Sequence, residues 1–115
     1  MSNAECLFCR IIKGEIPSKK VYEDEHVFVF EDIQPKAPVH LLVVPKQHID
    51  STNNIQDLKP AAITRLLTVL PELAETYNIK RDGYRTIVNC GSNAGQEVHH
   101  LHVHLLGGKK FTVFA

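Results

Sequence analysis

The segment HLHVHLL, residues 100–106, constrains the fold more than any other part of this chain. Histidines alternate in it with apolar residues. Because successive side chains of a β-strand point to opposite faces of the sheet, this alternation predicts a strand with one buried apolar face and one face that carries three imidazoles. We expect this strand to span residues 98–106, and Gly107 and Gly108 to end it.

Three imidazoles on one face suit more than one chemistry. Near neutral pH an imidazole can act as a nucleophile or a proton donor, and neutral imidazoles also bind zinc. A solvated surface position is the ordinary explanation for any single histidine. Strict alternation of His100, His102 and His104 opposite an apolar face favours a functional site instead, but alternation alone does not separate catalysis from metal binding.

The loop before this strand, residues 91–95, is rich in glycine and is flanked by Asn89 and Gln96. Successive N–H groups in such a loop can form a nest that binds an anion, and a phosphate would fit. A plain connection between strands is the alternative. Beside three histidines, the loop favours phosphoryl or nucleotidyl transfer, in which a histidine nitrogen attacks phosphorus and a neighbouring acid protonates the leaving group.

The remaining segments alternate between strand-like and helix-like patterns. They are a short helix over residues 7–13, the two strands of a hairpin over 20–23 and 26–31, a central strand over 39–44 that is buried on both faces, and a strand over 84–89. Together with the histidine strand they predict an α+β fold, an antiparallel sheet of about five strands with one long and one short helix on one side.

The long helix follows residue 57, where apolar residues change to helical spacing. Asp57 suits the N-cap position, Pro60 suits the first turn, and Pro71 predicts a kink because it removes an interior hydrogen bond. The predicted buried face consists of Leu58, Ala62, Leu66, Leu70, Leu73 and Ala74, with Ile63, Leu67 and Tyr77 beside it.

Length and charge limit the function classes. A chain of 115 residues, 43% of them hydrophobic, is long enough for one core and too short for two ordinary domains, so we expect a single domain over residues 1–115. Lys and Arg number 13 and are balanced by 13 Asp and Glu, which disfavours binding to nucleic acid or to a membrane surface. No apolar stretch has the length of a membrane span and no signal-peptide pattern is present, so we expect a cytoplasmic location.

The histidine segment fits the pattern of the histidine triad (HIT) superfamily, and the chain resembles the Hint branch of that superfamily. Residues 8–17 (FCRIIKGEIP), 32–45 and 89–108 look like segments of that branch in the same order, so the resemblance extends from about Cys6 to Gly108. It implies a homodimer of α+β protomers. It also implies hydrolysis of purine nucleoside phosphoramidates, or related adenylates, to the nucleoside monophosphate and an amine.

The resemblance also implies a role for each histidine. His102 would be the nucleophile and form a transient nucleotidyl-histidine, His104 would bind phosphate and assist the leaving group, and His100 would orient the nucleophile. His40 would join the same hydrogen-bond network. The remaining implied contacts are Asn89 and the backbone of Gln96 and Glu97 to phosphate, Asp32 to the ribose hydroxyls, and Leu7, Phe8, Phe30 and Ile33 around the base. For the last four, ordinary core packing explains the sequence equally well.

Three features depart from the better-known pattern. Glu97 replaces a serine of animal members, and because a carboxylate repels phosphate we expect only its backbone N–H to serve. His99 stands where an aromatic residue is usual, and strand alternation predicts a packing role on the face opposite the triad. The tail after Gly108 is short, which leaves the preference for a leaving group open.

The pair Cys6-x-x-Cys9 raises the question of a metal. The resemblance to HIT proteins that carry this pair implies a zinc site that two histidines complete. Here those histidines would be His48 and His100. The resulting Cys2His2 site would be closed and structural, and the chemistry itself would need no cofactor. Two unligated thiols that behave as small apolar residues are the alternative. We expect Cys90, which has no partner in the sequence, to lie in the core.

Two other functions are compatible with the sequence. A dinucleoside polyphosphate hydrolase would use the same triad chemistry on a different substrate. A non-catalytic nucleotide-binding module would keep Asp32 and the apolar slot but would not require His102.

Overall fold

One antiparallel sheet of five strands organises the protein. The computed structural model describes residues 5–114; the ends of the expected domain, residues 1–4 and 115, lie outside the described residues. The strands are β1 (Lys20–Glu23), β2 (Val27–Glu31), β3 (Val39–Pro45), β4 (Tyr84–Ile87) and β5 (Val103–Gly107), in the order β1-β2-β3-β5-β4. The predicted five-stranded α+β architecture is confirmed.

The two α-helices cover opposite faces of this sheet. Helix α2 (Pro60–Thr76) packs over inward-facing residues such as Val29 and Val43, whereas helix α1 (Leu7–Ile12) packs over Phe30 and Val44 on the other face. The prediction that both helices lie on one side is therefore wrong. The reason is that β2 and β3 are apolar on both faces, and each apolar face needs its own cover. Within residues 5–114, no helix is long and apolar enough to cross a membrane.

Strand β3 is the centre of the sheet, as its continuous apolar run predicts. It pairs with β2 on one side and with β5 on the other. Leu41 and Val43 belong to the core under α2, and Leu42 belongs to the core under α1. In this register Leu42 lies opposite His104, and His40 lies opposite Leu106. The α1 face of the sheet therefore carries both His40 and His104.

Helix α2 begins later than the sequence predicts. Residues Thr52–Asp57 form a separate 3-10 helix, capped by the Ser51 hydroxyl, which accepts from the Asn53 N–H at 3.1 Å. The predicted N-cap role of Asp57 is therefore wrong, because the 3-10 helix ends at Asp57 and α2 starts separately at Pro60, with Lys59 as its N-cap. The helix continues through Pro71, and the kink stays a prediction. Leu67 is also wrongly placed beside the core, since it is 63% exposed.

Strand β5 is shorter than the predicted 98–106. The chain bends over residues 98–100, and ladder pairing begins only at Val103. The neighbouring strand β3 ends at Pro45, which has no N–H to offer, and β4 ends at Ile87 rather than residue 89. Alternation nevertheless continues upstream of the ladder, because Leu101 is buried in the same core as Val103.

The turn between β1 and β2 is built on one carboxylate. Asp24 Oδ1 accepts hydrogen bonds from the backbone N–H groups of His26 and Val27 at 2.8 and 3.0 Å. Its Oδ2 accepts from the Tyr22 hydroxyl and from Arg65 of α2, both at 2.7 Å. Burial alone would raise the pKa of Asp24, but these four donors hold the pKa well below its usual range. One side chain thus closes the hairpin and attaches it to α2.

Replacement of Asp24 by alanine is expected to lower the free energy of unfolding by about 2 kcal/mol, because the turn N–H groups and Arg65 lose their acceptor. Glu25→Ala is the matched control in the same turn: its side chain is 84% exposed, and the change is expected to stay within about 0.5 kcal/mol. Urea denaturation of both variants measures the difference. Equal effects of the two substitutions would contradict the role assigned to Asp24.

Candidate active site

The three alternating histidines lie on the α1 face, in graded exposure. His100 is fully buried, His102 is 8% exposed, and His104 is partly exposed. The rings of His102 and His104 pack edge to face with centroids 5.0 Å apart. On its other side, His102 meets the ring of Phe8 at 5.2 Å. The His102 ring is therefore held between two rings and remains slightly open to solvent.

A backbone carbonyl determines the tautomer of His102. Its Nδ1 lies 2.8 Å from the carbonyl oxygen of His100, and a carbonyl can only accept a hydrogen bond. Nδ1 must therefore carry the proton and donate it to this carbonyl. The other nitrogen, Nε2, is left with a free lone pair, which is what a nucleophile requires.

A second chain of hydrogen bonds determines the tautomer of His104. The Lys36 backbone N–H donates to Nδ1 of His40 at 3.0 Å, so the proton of His40 resides on Nε2. This Nε2–H donates to Nδ1 of His104 at 2.9 Å. The proton of His104 is then on its own Nε2, which can donate a hydrogen bond to a bound group.

His40 and His104, the two histidines of this hydrogen-bond chain, are held neutral. Burial, followed by repulsion from His102 and His40, lowers the pKa of His104 to about 4. Burial also lowers the pKa of His40, although the nearby Asp32 carboxylate opposes the shift. At neutral pH the pair is therefore an ordered set of neutral imidazoles, in agreement with the single-proton arrangement of their hydrogen bonds.

Asp32 lies at the edge of the same network. Its Oδ2 is 3.4 Å from Nε2 of His40, and its Oδ1 accepts from the Gln34 N–H at 2.8 Å. The side chain is 20% exposed. The structure thus brings together His40, His102, His104 and Asp32, with one acidic group beside the imidazoles and accessible from outside.

The four residues expected around a base have different surroundings. Phe8 and Phe30 are buried and pack edge to face with centroids 5.4 Å apart. Leu7 is 44% exposed on α1, and Ile33 is 89% exposed beyond the end of β2. Phe8 contacts His102 directly, so core packing and a place beside the site apply to it together, whereas Ile33 has no such contact among the described rings.

The residues expected at phosphate are only partly free to bind it. Continuing the β4–β5 register past Ile87, which is paired with His104, places Asn89 level with His102. The Gln96 side chain is used inside the loop: it accepts from the Gly91 N–H at 2.9 Å and donates to Asp50 O at 2.7 Å. The Gln96 N–H itself donates to Gly91 O at 3.1 Å, so this N–H is already bonded within the loop.

The glycine-rich loop is not an open nest. Hydrogen bonds within the loop use the N–H groups of Gly91, Ala94, Gly95 and Gln96, and Ser92–Ala94 form a short 3-10 helix. Of residues 91–95, only Ser92 and Asn93 keep N–H groups without a hydrogen bond among the described residues, so only these two can contribute to the predicted nest. The loop is a rigid connection that positions Asn89 and Glu97 at its two ends.

Two further residues differ from expectation. His99 is exposed, because the bend at residues 98–100 breaks the alternation that would have buried it. Cys90 is half-buried and donates to the Ser51 hydroxyl at 3.4 Å, so it is not a core residue.

Behind the histidines, the side chains of Cys6, Cys9, His48 and His100 converge. His100 Nδ1 lies 3.3 and 3.5 Å from the two sulfur atoms and 3.1 Å from His48 Nδ1, which is itself 3.4 Å from Cys9 Sγ. Tetrahedral zinc with two sulfur and two nitrogen ligands gives ligand-to-ligand distances of about 3.3 to 3.8 Å. Apart from the slightly short nitrogen pair, the observed distances fall in that range.

The proton positions in this cluster also suit a cation. His100 Nε2 lies 2.8 Å from the Pro45 carbonyl, and His48 Nε2 lies 3.2 Å from an Asp50 carboxylate oxygen, so each Nε2 carries the proton. Both Nδ1 lone pairs then point at each other, which is unfavourable without a cation between them. Burial and the adjacent Cys6 raise the pKa of the Cys9 thiol to about 12 in the absence of a metal.

A second trio, Asp32, His40 and His104, also has its ligand atoms within 4.8 Å of one another. Here the proton positions oppose a metal. Because the Lys36 N–H occupies Nδ1 of His40, Nε2 must keep its proton and has no lone pair to give. The imidazoles of His48 and His100 therefore direct lone pairs towards the centre of their cluster, whereas the imidazole of His40 directs an N–H donor at His104.

Comparison with known proteins identifies the family of this chain. A model of the HIT domain matches residues 13–111. The purine nucleoside phosphoramidase of Escherichia coli (strain K12) is 45% identical over 105 residues, which cover 91% of this chain and 88% of the relative. The chain belongs to the HIT family. The resemblance noted from the histidine segment is confirmed.

Solved structures give the same answer for the fold. A histidine triad protein from Clostridium difficile superposes with a TM-score of 0.92 at 46% identity, with both chains fully covered. A HIT family hydrolase from Legionella pneumophila has a TM-score of 0.90 at 44% identity, covering 94% of this chain and 96% of that one.

Sequence reasoning missed the groups that assign the protons. The Lys36 N–H and the Pro45 carbonyl belong to the backbone, and no side-chain pattern could reveal them. The role of Asp50 could have been predicted from the sequence. Asp50 lies two residues after His48, and an acidic partner commonly orients a metal-binding histidine.

His104 is expected to make stability depend on pH. Its pKa is about 4 in the folded protein and 6.5 in the unfolded chain, so the unfolded chain binds more protons between those values. The free energy of unfolding should therefore fall as pH drops from about 6.5 towards 4. Urea denaturation across this range should give a shallower fall for His104→Gln, and an unchanged fall for His26→Gln, whose ring lies in the β1–β2 turn. Identical curves for wild type and His104→Gln would refute the assignment.

Proposed function

We propose that this protein is a HIT-type nucleotide hydrolase that cleaves purine nucleoside 5'-phosphoramidates, or related adenylates, through a nucleotidyl group on His102. One observation carries the proposal. The His100 carbonyl holds the proton of His102 on Nδ1 and leaves Nε2 free, next to a second imidazole, His104, whose available nitrogen is protonated. The site thus offers a nucleophile and a hydrogen-bond donor for the phosphate side by side.

In the first step, the Nε2 lone pair of His102 attacks the α-phosphorus and the bond from phosphorus to the leaving nitrogen breaks. His104 keeps its Nε2 proton and donates a hydrogen bond from it to a phosphoryl oxygen, and the departing amine takes its proton from solvent water. The new bond places a positive charge on the His102 ring, and the His100 carbonyl stabilises that charge through the Nδ1 proton.

In the second step, water attacks the nucleotidyl phosphorus and His102 leaves with its lone pair restored. The attacking water releases one proton to solvent, which balances the proton taken up by the amine, and His104 still donates its Nε2–H to a phosphoryl oxygen. The products are the nucleoside monophosphate and the starting protein. His40 keeps its proton on Nε2 through both steps, because the Lys36 N–H still occupies Nδ1, and so it keeps His104 in the required tautomer.

The substrate class follows from similarity and from the surroundings of the histidines. The E. coli relative is a purine nucleoside phosphoramidase. In this chain Phe8 and Phe30 offer aromatic edges beside His102, and the partly exposed Asp32 carboxylate can accept hydrogen bonds from ribose hydroxyls. A dinucleoside polyphosphate would use the same histidines, and a substrate panel separates the two.

Incubation with an adenosine phosphoramidate and rapid acid quenching should give a protein heavier by one adenylyl group, located on His102 by peptide mass spectrometry. His102→Ala should lower kcat by more than about a thousandfold, because no other group supplies the nucleophile. His26→Gln is the matched histidine control and should retain full activity. A folded wild-type protein that binds AMP and shows neither turnover nor adenylylation would favour the non-catalytic binding module.

We also propose that Cys6, Cys9, His48 and His100 hold a structural zinc ion. The four ligand atoms converge, and both imidazoles direct a lone pair inward. With four protein ligands no position remains for water, so the ion would stabilise the fold and take no part in the phosphoryl chemistry.

Elemental analysis of protein purified without chelator or nickel resin should give about one zinc per chain. Cys6→Ser should lose the zinc, because the serine hydroxyl is a poor replacement for a thiolate. Cys90→Ser changes a thiol outside the cluster and should retain it. A zinc content near zero in the wild type would contradict the proposed site.

A homodimer is a further proposal, based on the resemblance to the Hint branch. Strand β4 is an edge of the sheet and pairs only with β5 among the described strands. Leu67 on α2 and Val88 after β4 are exposed apolar residues that an interface could cover.

A further inference from the structure

His102, the proposed nucleophile, contacts His100 and Phe8. Both contacts are attached to the cysteine–histidine cluster, which consists of Cys6, Cys9, His48 and His100. We infer that Cys6, Cys9 and His48 are positioning residues for His102, and that ligation at this cluster determines the orientation and tautomer of the nucleophile. The inference rests on the proposed role of His102. It assigns to the cluster a part in the reaction that a purely structural site would not have.

The first connection runs through His100. Its imidazole belongs to the cluster, with Nδ1 at 3.1 Å from His48 Nδ1, and its backbone carbonyl accepts the Nδ1 proton of His102 at 2.8 Å. The side chain is also fastened through Nε2 to the Pro45 carbonyl. Ligation at Nδ1 and the bond at Nε2 thus hold the His100 side chain at both ring nitrogens, and they restrain the residue whose carbonyl keeps Nε2 of His102 unprotonated.

The second connection runs through α1. Cys6 caps this helix, since its sulfur accepts from the Cys9 N–H at 3.3 Å, and Phe8 lies between the two cysteines in the chain. The Phe8 ring packs against both His100 and His102, with centroids at 5.9 and 5.2 Å. The helix has only six residues, too few for independent stability, so its position depends on the contacts at Cys6 and Cys9.

His102 thus has two supports, the His100 carbonyl and the Phe8 ring, and both are attached to the same cluster. Without ligation the two Nδ1 lone pairs of His48 and His100 lie 3.1 Å apart and face only the weak S–H donors of the two cysteines. Both the His100 residue and helix α1 are then held less firmly beside His102. Misplacement of a catalytic group by about 1 Å can cost a hundredfold in rate.

His48 is the residue that tests the inference most cleanly. It lies after β3, its ring contacts Cys9 and His100, and its Nε2 bonds to Asp50. His48 has a second connection, through Asp50 to the Gln96 side chain, and a variant that restores zinc but not the Asp50 bond separates the two routes. His48→Gln keeps the size but removes the nitrogen ligand, whereas His48→Cys supplies a thiolate at about the reach of Nδ1 and restores four zinc ligands. His26→Gln is the matched control outside the cluster.

The first readout is single-turnover adenylylation of His102, measured with the zinc content, the AMP dissociation constant and the melting temperature of each variant. His48→Gln should slow adenylylation by at least about tenfold, with a smaller change in AMP affinity. His48→Cys should bind zinc and recover most of the rate, and His26→Gln should match wild type. Zinc-stripped wild type, assayed at low temperature, provides the same comparison if His48→Gln does not fold.

The second readout is the tautomer of His102, from the nitrogen chemical shifts of its ring in 15N-labelled protein. Wild type and His48→Cys should hold the Nδ1–H form, and His48→Gln or zinc-stripped protein should show a mixture of tautomers. If the wild type turns over no nucleotide, the proposed function fails while this readout still decides the inference. The inference is overturned if loss of His48 ligation leaves both the rate and the tautomer unchanged, or if zinc-loaded His48→Cys is as slow as His48→Gln.

Discussion

The arrangement of this site depends on three bonds made by one buried residue, His100. Its Nε2–H donates to the Pro45 carbonyl, its Nδ1 joins the cysteine–histidine cluster, and its backbone carbonyl accepts from His102. Each bond uses a different atom, so none competes with another. The first histidine of the triad thereby connects the end of β3, helix α1 and the nucleophile, although its imidazole has no open path to a substrate.

Backbone groups, more than side chains, separate the two histidine clusters. At His40 an N–H donor occupies Nδ1, so the proton of the ring lies on Nε2. This Nε2–H donates a hydrogen bond to Nδ1 of His104. At His100 a carbonyl acceptor occupies Nε2, which forces the lone pair onto Nδ1 and favours a cation. Chemically identical rings thus perform different tasks, because the main chain offers a donor at one and an acceptor at the other.

This dependence explains what could be predicted from the sequence. The alternation at residues 100–106 and the apolar run of β3 depend on side chains alone, and the sheet, its order of burial and the shared face of the histidines followed from them. The side of the sheet covered by α1 did not follow, because residues 7–13 form too few turns for a distinctive pattern. Neither did the exposure of His99, which depends on a bend that no side-chain pattern marks.

The β5 ladder begins only at Val103, and this late start determines which backbone groups are available at the histidines. In a fully paired strand over residues 98–106, the backbone groups beside β3 would be consumed by ladder hydrogen bonds. Here Pro45 has no N–H to donate, the Leu101 N–H turns instead to the Ile49 carbonyl at 2.8 Å, and the His100 carbonyl becomes available to His102. The alternation of a strand aligns the three imidazoles, and the absence of ladder pairing at the first two leaves the His100 carbonyl free to hold the proton of His102 on Nδ1.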